Sequence, residues 1–229
     1  MERTSYFRPE LFEFFRELAG NNNRPWFEAN KKRYQADVRD PILRFVAGFE
    51  PHLHQVSPHF VADPRPVGGS LFRIYRDTRF SKDKTPYKTS AGVHFYHAAG
   101  HDVPAPGFYM HLGPGEVFAG GGLWQPDSTT VGKVREAIVA QPKRWERAVS
   151  GKEFTTQFEL WGEKLKRPPS GYDPHHPFIE DLKRKDFVVT APLSEEAACG
   201  PDFMDRVTEI CRRAGPFMEF LTKAVGLPW

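Results

Sequence analysis

The sequence has little of several things that would settle its class quickly. It has two cysteines, Cys199 and Cys211, too few for a disulfide framework and without metal-site spacing. Its apolar runs are short; Phe45-Val46-Ala47-Gly48-Phe49 is typical, far below the ~20 residues needed to span a bilayer. Excess charge of one sign is also missing. The 32 basic and 29 acidic residues leave +3, too little for a surface coated in basic charge to hold nucleic acid. The start, Met1-Glu2-Arg3-Thr4-Ser5, leads into a charged amphipathic stretch without the apolar segment of a signal peptide. These absences point to a soluble, reduced, cytoplasmic protein. No linker, repeat or low-complexity tract divides the 229 residues, so one domain over residues 1–229 is expected.

What is plentiful is aromatic side chain, 20 Phe with 7 Tyr and 5 Trp, enough for one well-filled core. Pro9 opens a first helix with Leu11, Phe14, Phe15 and Leu18 as its apolar stripe. Gly20 ends it, and Asn21-Asn22-Asn23 offers caps for a second helix opened by Pro25. There Trp26, Asn30 and Tyr34 recur every four residues, so an amide lies between two aromatics on one face. Asp40-Pro41 repeats the cap-and-proline signal before Ile42, Phe45, Val46, Phe49 and Leu53 at helical spacing.

The middle of the chain alternates instead. Residues 71–77, 92–97, 107–112 and 117–121 read as strands, the last two joined by a four-residue loop, Gly113-Pro114-Gly115-Glu116. Short connections demand antiparallel pairing. Helical pattern returns after Asp127 or Ser128 and again at Pro142. Residues 166–177 read as a proline-rich loop, 187–189 as a further strand and 202–225 as mostly helix. The expected fold is α+β: a mainly antiparallel sheet with helices from both chain ends packed against it.

Charge is concentrated in one place. Between Arg73 and Lys88 stand six basic residues and two acidic ones, so this window carries +4 and the remainder −1. If residues 71–79 form a strand, Arg73, Tyr75, Asp77 and Arg79 share one face, and Phe72, Ile74, Arg76 and Phe80 the other, mostly apolar one. At ~3.3 Å per residue, Arg73 lies ~20 Å from Arg79, so adjacent groups grip one anion or the full row tracks a longer polyanion. Guanidinium matches carboxylate and phosphate in a two-pronged fashion, which makes the row a candidate anion site. The alternative is an ion network that only holds the fold together.

The pattern Arg73-x-x-Arg76-Asp77-x-Arg79-Phe80-x-x-Asp83-Lys84-x-x-Tyr87 resembles the signature of the domain of unknown function 2461 family. Asn22-Asn23-x-x-Trp26-Phe27-x-x-Asn30-x-x-x-Tyr34 is similar to its N-terminal motif, and Gly120-Gly121-Gly122-x-Trp124-x-Pro126 to a later one. The resemblance covers nearly the whole chain and implies a single domain with no assigned catalytic residues.

Other candidates are weaker. The Gly120–Gly122 run lacks any dinucleotide or nucleotide fingerprint and reads as a strand end where another backbone comes close. His94 and His97 face opposite ways on a strand, and His175-His176 sits in a solvated loop, so no metal and no cofactor is expected. Ser81 and Ser90 lack a nucleophile setting. The candidate ligand-binding residues are therefore Arg73, Tyr75, Asp77, Arg79, Lys84 and Tyr87, with Asn30 and Trp26 as an opposite wall. The ligand would be a phosphate-bearing or other anionic small molecule, either bound only or bound and turned over. The alternative is a non-catalytic module docking a protein or nucleic-acid partner, with duplex binding weak. A cleft around Arg73 and Tyr75 would favour the first, an open surface the second.

Overall fold

The computed structural model describes residues 5–100 and 104–229. Among them, one sheet runs β1 (Phe60–Val61), β2 (Ala91–His97), β3 (Gly107–Gly113), β4 (Glu116–Leu123), β6 (Phe187–Leu193) and β5 (Glu159–Trp161) in spatial order. Every pairing is antiparallel. The pleat separates two faces. Val93, Phe95, Phe108, Met110, Leu112, Val117, Ala119, Val189 and Ala191 point inward and are buried.

Helices from both chain ends cover that inner face. From the N-terminal side come α1 (Pro9–Gly20) and α3 (Asp40–Val56), with α2 (Arg24–Arg33) between them packed on α1 through Phe27; from the C-terminal side comes α9 (Phe203–Ala224), laid along β4. The crossover from β4 to β6 holds α4 (Ser128–Ala140), α5 (Pro142–Ser150), α6 (Lys152–Gln157), β5 and α7 (Ile179–Leu182), and α8 (Glu195–Cys199) follows β6. A single buried cluster joins these helices to the sheet. No helix of the described residues is long and apolar enough to cross a membrane.

The chain departs from the sequence reading in three places. Gly113 pairs with Glu116, so the β3–β4 turn has two residues, Pro114 and Gly115, not four. Gly115 makes this possible by adopting φ of 75°, which costs a residue without Cβ nothing. No cap breaks the helix at Asp40. A π-helical segment, Tyr34–Arg39, joins α2 to α3, and the Asp40 N–H reaches back five residues to the Gln35 carbonyl. Third, residues 71–77 are not a strand. Their only ladder contacts are bridges at Leu71–Val93 and Tyr75–Tyr87. Four steps separate the bridges on one side and six on the other, so the register slips and the alternation is lost.

Candidate functional site

Residues 70–76 and 86–94 form an irregular hairpin whose tip is the segment 77–85. Backbone bonds from Phe72 to Gly92, Arg76 to Pro86 and Lys88 to Ile74, all 2.8–2.9 Å, hold its arms together. Its base is tied to the α1–α2 elbow. The Asn22 amide donates to the Tyr87 carbonyl at 2.9 Å and accepts from the Tyr87 N–H at 3.0 Å. Phe27 stacks on Tyr87 with centroids 4.1 Å apart, and Tyr75 meets both rings.

At the tip, most charge is spent internally. The Arg76 guanidinium donates to the Asp83 carboxylate and to the Thr85 hydroxyl. Asp83 also accepts the Thr85 N–H at 2.9 Å; that bond, with Arg76 beside it, holds its pKa down at about 2. Asp77 accepts the Arg79 N–H at 3.2 Å and pairs with the Arg79 guanidinium at 2.7 Å, which lowers its pKa. Lys84 donates to the Thr78 carbonyl at 2.8 Å and so closes the loop. Arg73 makes no hydrogen bond or ion pair among the described residues and is exposed, as is Lys82. Lys88 lies 5.3 Å from the Phe72 centroid, and burial, with the Arg73 charge nearby, lowers its pKa.

The eight residues singled out in the sequence therefore divide. Arg73, Tyr75, Asp77, Arg79 and Lys84 lie on an open surface, Tyr75 at 45% exposure. Tyr87 is buried and belongs to the hairpin base. Asn30 donates to the Trp26 carbonyl and accepts from Arg33, so its hydrogen bonds stay in its own helix rather than reaching the arginine row. Trp26 and Tyr34 both pack on Phe14 as core aromatics, and burial pushes the Tyr34 hydroxyl up to about 12. The slipped register also dissolves the apolar face expected of Phe72, Ile74 and Phe80. Ile74 is buried, but Phe72 is 44% and Phe80 95% exposed. The Arg79 guanidinium lies 5.8 Å from the Phe80 centroid.

A second concave feature lies on the outer face of the sheet, opposite the buried helices. Two cross-strand rows define it: His94, Tyr109, Gly120 and Thr190, then Tyr96, Gly107, Gly122, Val188 and Trp161. Glycines therefore sit side by side where side chains would fill the face. A Cβ on Gly120 would meet the Val189 carbonyl at 2.0 Å and one on Gly122 that of Phe187, so β6 makes the close backbone approach expected there. The cavity measures about 510 Å³. Sequence reasoning missed it because its walls come from different strands, and only the glycine run signalled it.

Asp186, 4% exposed, fixes one wall. One of its carboxylate oxygens accepts the Gln125 N–H at 2.8 Å, the other the Glu163 N–H at 3.0 Å. These residues follow Trp124 and Gly162, and the Trp124 and Trp161 rings stand 5.1 Å apart. Gln125 holds a left-handed φ of 46°, costly for a residue with a Cβ, and Gly162 takes φ of 117°, a conformation open to glycine. Among the described residues, no group of three or more His, Cys, Asp or Glu side chains stands where it could hold a metal ion.

A family model described as a conserved hypothetical protein, DUF2461, matches residues 10–220. No curated protein and no solved structure matches the chain.

Proposed function

The chain belongs to the DUF2461 family, whose description names no activity, and from the geometry of the hairpin we propose an interaction module that docks an acidic segment of another protein. The observation that supports this most is the exposure of Arg73 and Tyr75 on an open surface. A small anion would need cations converging on one point. Here Arg76 and Arg79 already bind Asp83 and Asp77, and the uncommitted Arg73 and Lys82 stand apart along the hairpin. Separated cations beside a bare Phe80 suit an extended chain carrying carboxylates and an apolar side chain. The cations are too few for tight binding to duplex DNA, where affinity follows the number of phosphates neutralised.

The test is fluorescence anisotropy with a labelled Glu-rich peptide carrying one aromatic residue. Binding should weaken with salt, with Gln replacing Glu in the peptide, and in the Arg73→Ala, Lys82→Ala double variant. Tighter binding of duplex DNA, displacement of the peptide by low concentrations of inorganic phosphate, or an unchanged affinity in the double variant would each overturn the reading.

A further inference from the structure

The outer face of the sheet supports an inference independent of the hairpin. We propose that its glycine-floored groove binds a neutral, planar aromatic or heteroaromatic small molecule between the Trp124–Trp161 pair and the rings of Phe72, Tyr109 and Phe118.

Four observations carry this. The first is shape. Gly107 and Gly122 are cross-strand partners, and Gly120 lies opposite Tyr109, so no side chain rises from the floor at these three positions. The His94 imidazole leans over Gly107, and the groove that remains is lined by Gly120, Gly122, Trp124 and Trp161. The cavity, about 510 Å³, is in the ~300–1,000 Å³ range of small-molecule sites.

The second is the lining. Phe72, Tyr109, Phe118, Trp124 and Trp161 supply rings, and among the described residues no Asp, Glu, Lys or Arg lines the groove. A charged ligand would lose its hydration there without gaining a counter-ion, which selects for a neutral one. Burial lowers the His94 pKa, which disfavours a charge on this imidazole as well.

The third is unused hydrogen-bonding capacity. His94 leans across the floor; a Cβ on Gly107 would lie 2.0 Å from its Nε2. Neither its ring nitrogens nor the Thr190 hydroxyl hydrogen-bond to any described residue, and both side chains line the groove. They offer one edge of a bound heterocycle a donor and an acceptor.

The fourth is the construction of the tryptophan wall. Trp124 is 58% and Trp161 40% exposed, although most large apolar side chains of this protein are buried. The backbone that carries both is tied to one carboxylate, because Asp186 anchors the residue after Trp124 and the residue two beyond Trp161, and the two rings pack on each other. Exposed indoles that pack on each other present a stacking surface with part of its ordering already made.

The experiment titrates the full chain with N-phenyl-1-naphthylamine, a neutral planar fluorophore, following its emission and the quenching of tryptophan. Saturable one-site binding is expected. Trp124→Ala and Trp161→Ala, both at exposed positions, should each weaken it about tenfold while the melting temperature stays near that of the parent. Arg73→Ala, Lys82→Ala should bind the probe as the parent does, which separates this site from the hairpin. Displacement by indole should be lost or weakened in His94→Phe. Three results would overturn the proposal: no saturable binding, binding indifferent to both tryptophan substitutions, or saturable binding of a neutral oligosaccharide such as maltohexaose in place of the naphthylamine.

Discussion

The side chain of Asn22 serves Tyr87, 65 positions later, as a neighbouring strand would: it accepts the backbone N–H and donates to the carbonyl of the same residue. No β-ladder reaches the hairpin base from that side, and an amide is the side chain that supplies a donor and an acceptor together. Asn22→Ala should therefore cost about 1–3 kcal/mol, because both backbone groups of a buried residue lose their partner. Asn22→Asp should do no better, since it sets a carboxylate against the Tyr87 carbonyl. Thermal denaturation of the three proteins checks this; a melting temperature in Asn22→Asp equal to the parent's would contradict it.

The two arginine pairs at the hairpin tip should behave differently. Arg76 is 28% exposed and bonds Asp83 and Thr85 at once, whereas Arg79 is 77% exposed and bonds Asp77 two residues away. Exposed local pairs contribute little to stability. Arg76→Ala should lower the melting temperature by roughly 2–4 °C, and Arg79→Ala should leave it within about 1 °C. The reverse order would show that the tip is held together by Arg79.

Asp83 predicts an acid limb. Its carboxyl titrates at about 2 in the folded chain against an ordinary 3.8, so the folded state binds the proton less readily than the unfolded one. Its contribution to stability is fully present above about pH 4 and is lost as the pH falls towards 2. Glu209, held at about 2 by Arg212 and Arg213, acts in the same window. Carboxyl-carbon NMR should show both midpoints near 2. Asp83→Asn should reduce stability at pH 7 and make the acid limb shallower; an unchanged limb would assign it to other carboxylates.

Asp186 should prove irreplaceable by its amide. Each of its oxygens accepts an N–H, and Asn offers only one acceptor while turning an NH2 towards the second donor. Asp186→Asn should lower the melting temperature and also weaken the circular dichroism signal arising from the paired indoles of Trp124 and Trp161. Loss of stability with that signal intact would mean that the loops hold the tryptophans without the carboxylate.

Much of the architecture can be read from local pattern. Ile42, Phe45, Val46, Phe49 and Leu53 recur at helical spacing and are all fully buried in α3. The alternation in β2, β3 and β4 reports their half-covered faces truthfully, because each is paired along most of its length. Residues 71–77 alternate just as well and are not a strand. Pairing depends on the opposite arm, which is two residues longer between the bridges, and no local pattern reveals that. β1 and β5 have two and three residues, too few for any period. The arginine cluster was visible as charge, but which carboxylate each arginine meets is set by the turn at the tip. The groove was the least legible feature. That Gly107 stands beside Gly122 depends on the register of the β3–β4 hairpin, and that Thr190 stands beside Gly120 on the pairing of β4 with β6 across a long crossover.

The π-helical segment at Tyr34–Arg39 sets the timing of the N-terminal rod. One surplus residue in a helix turns everything beyond it by roughly 100° about the axis. Upstream of the segment, Phe27 looks towards Phe14 and the hairpin rings of Tyr75 and Tyr87, and Tyr34 at its first position packs on Phe14; downstream, Phe45 and Phe49 meet Phe203 and Phe95. The rod thus addresses two different neighbours from a single axis, and its residue count becomes a constraint in its own right. Deleting Ala36, an exposed residue with little packing of its own, would rotate α3 out of phase with the sheet. The most tolerant-looking position in the rod is, by this logic, among the least expendable.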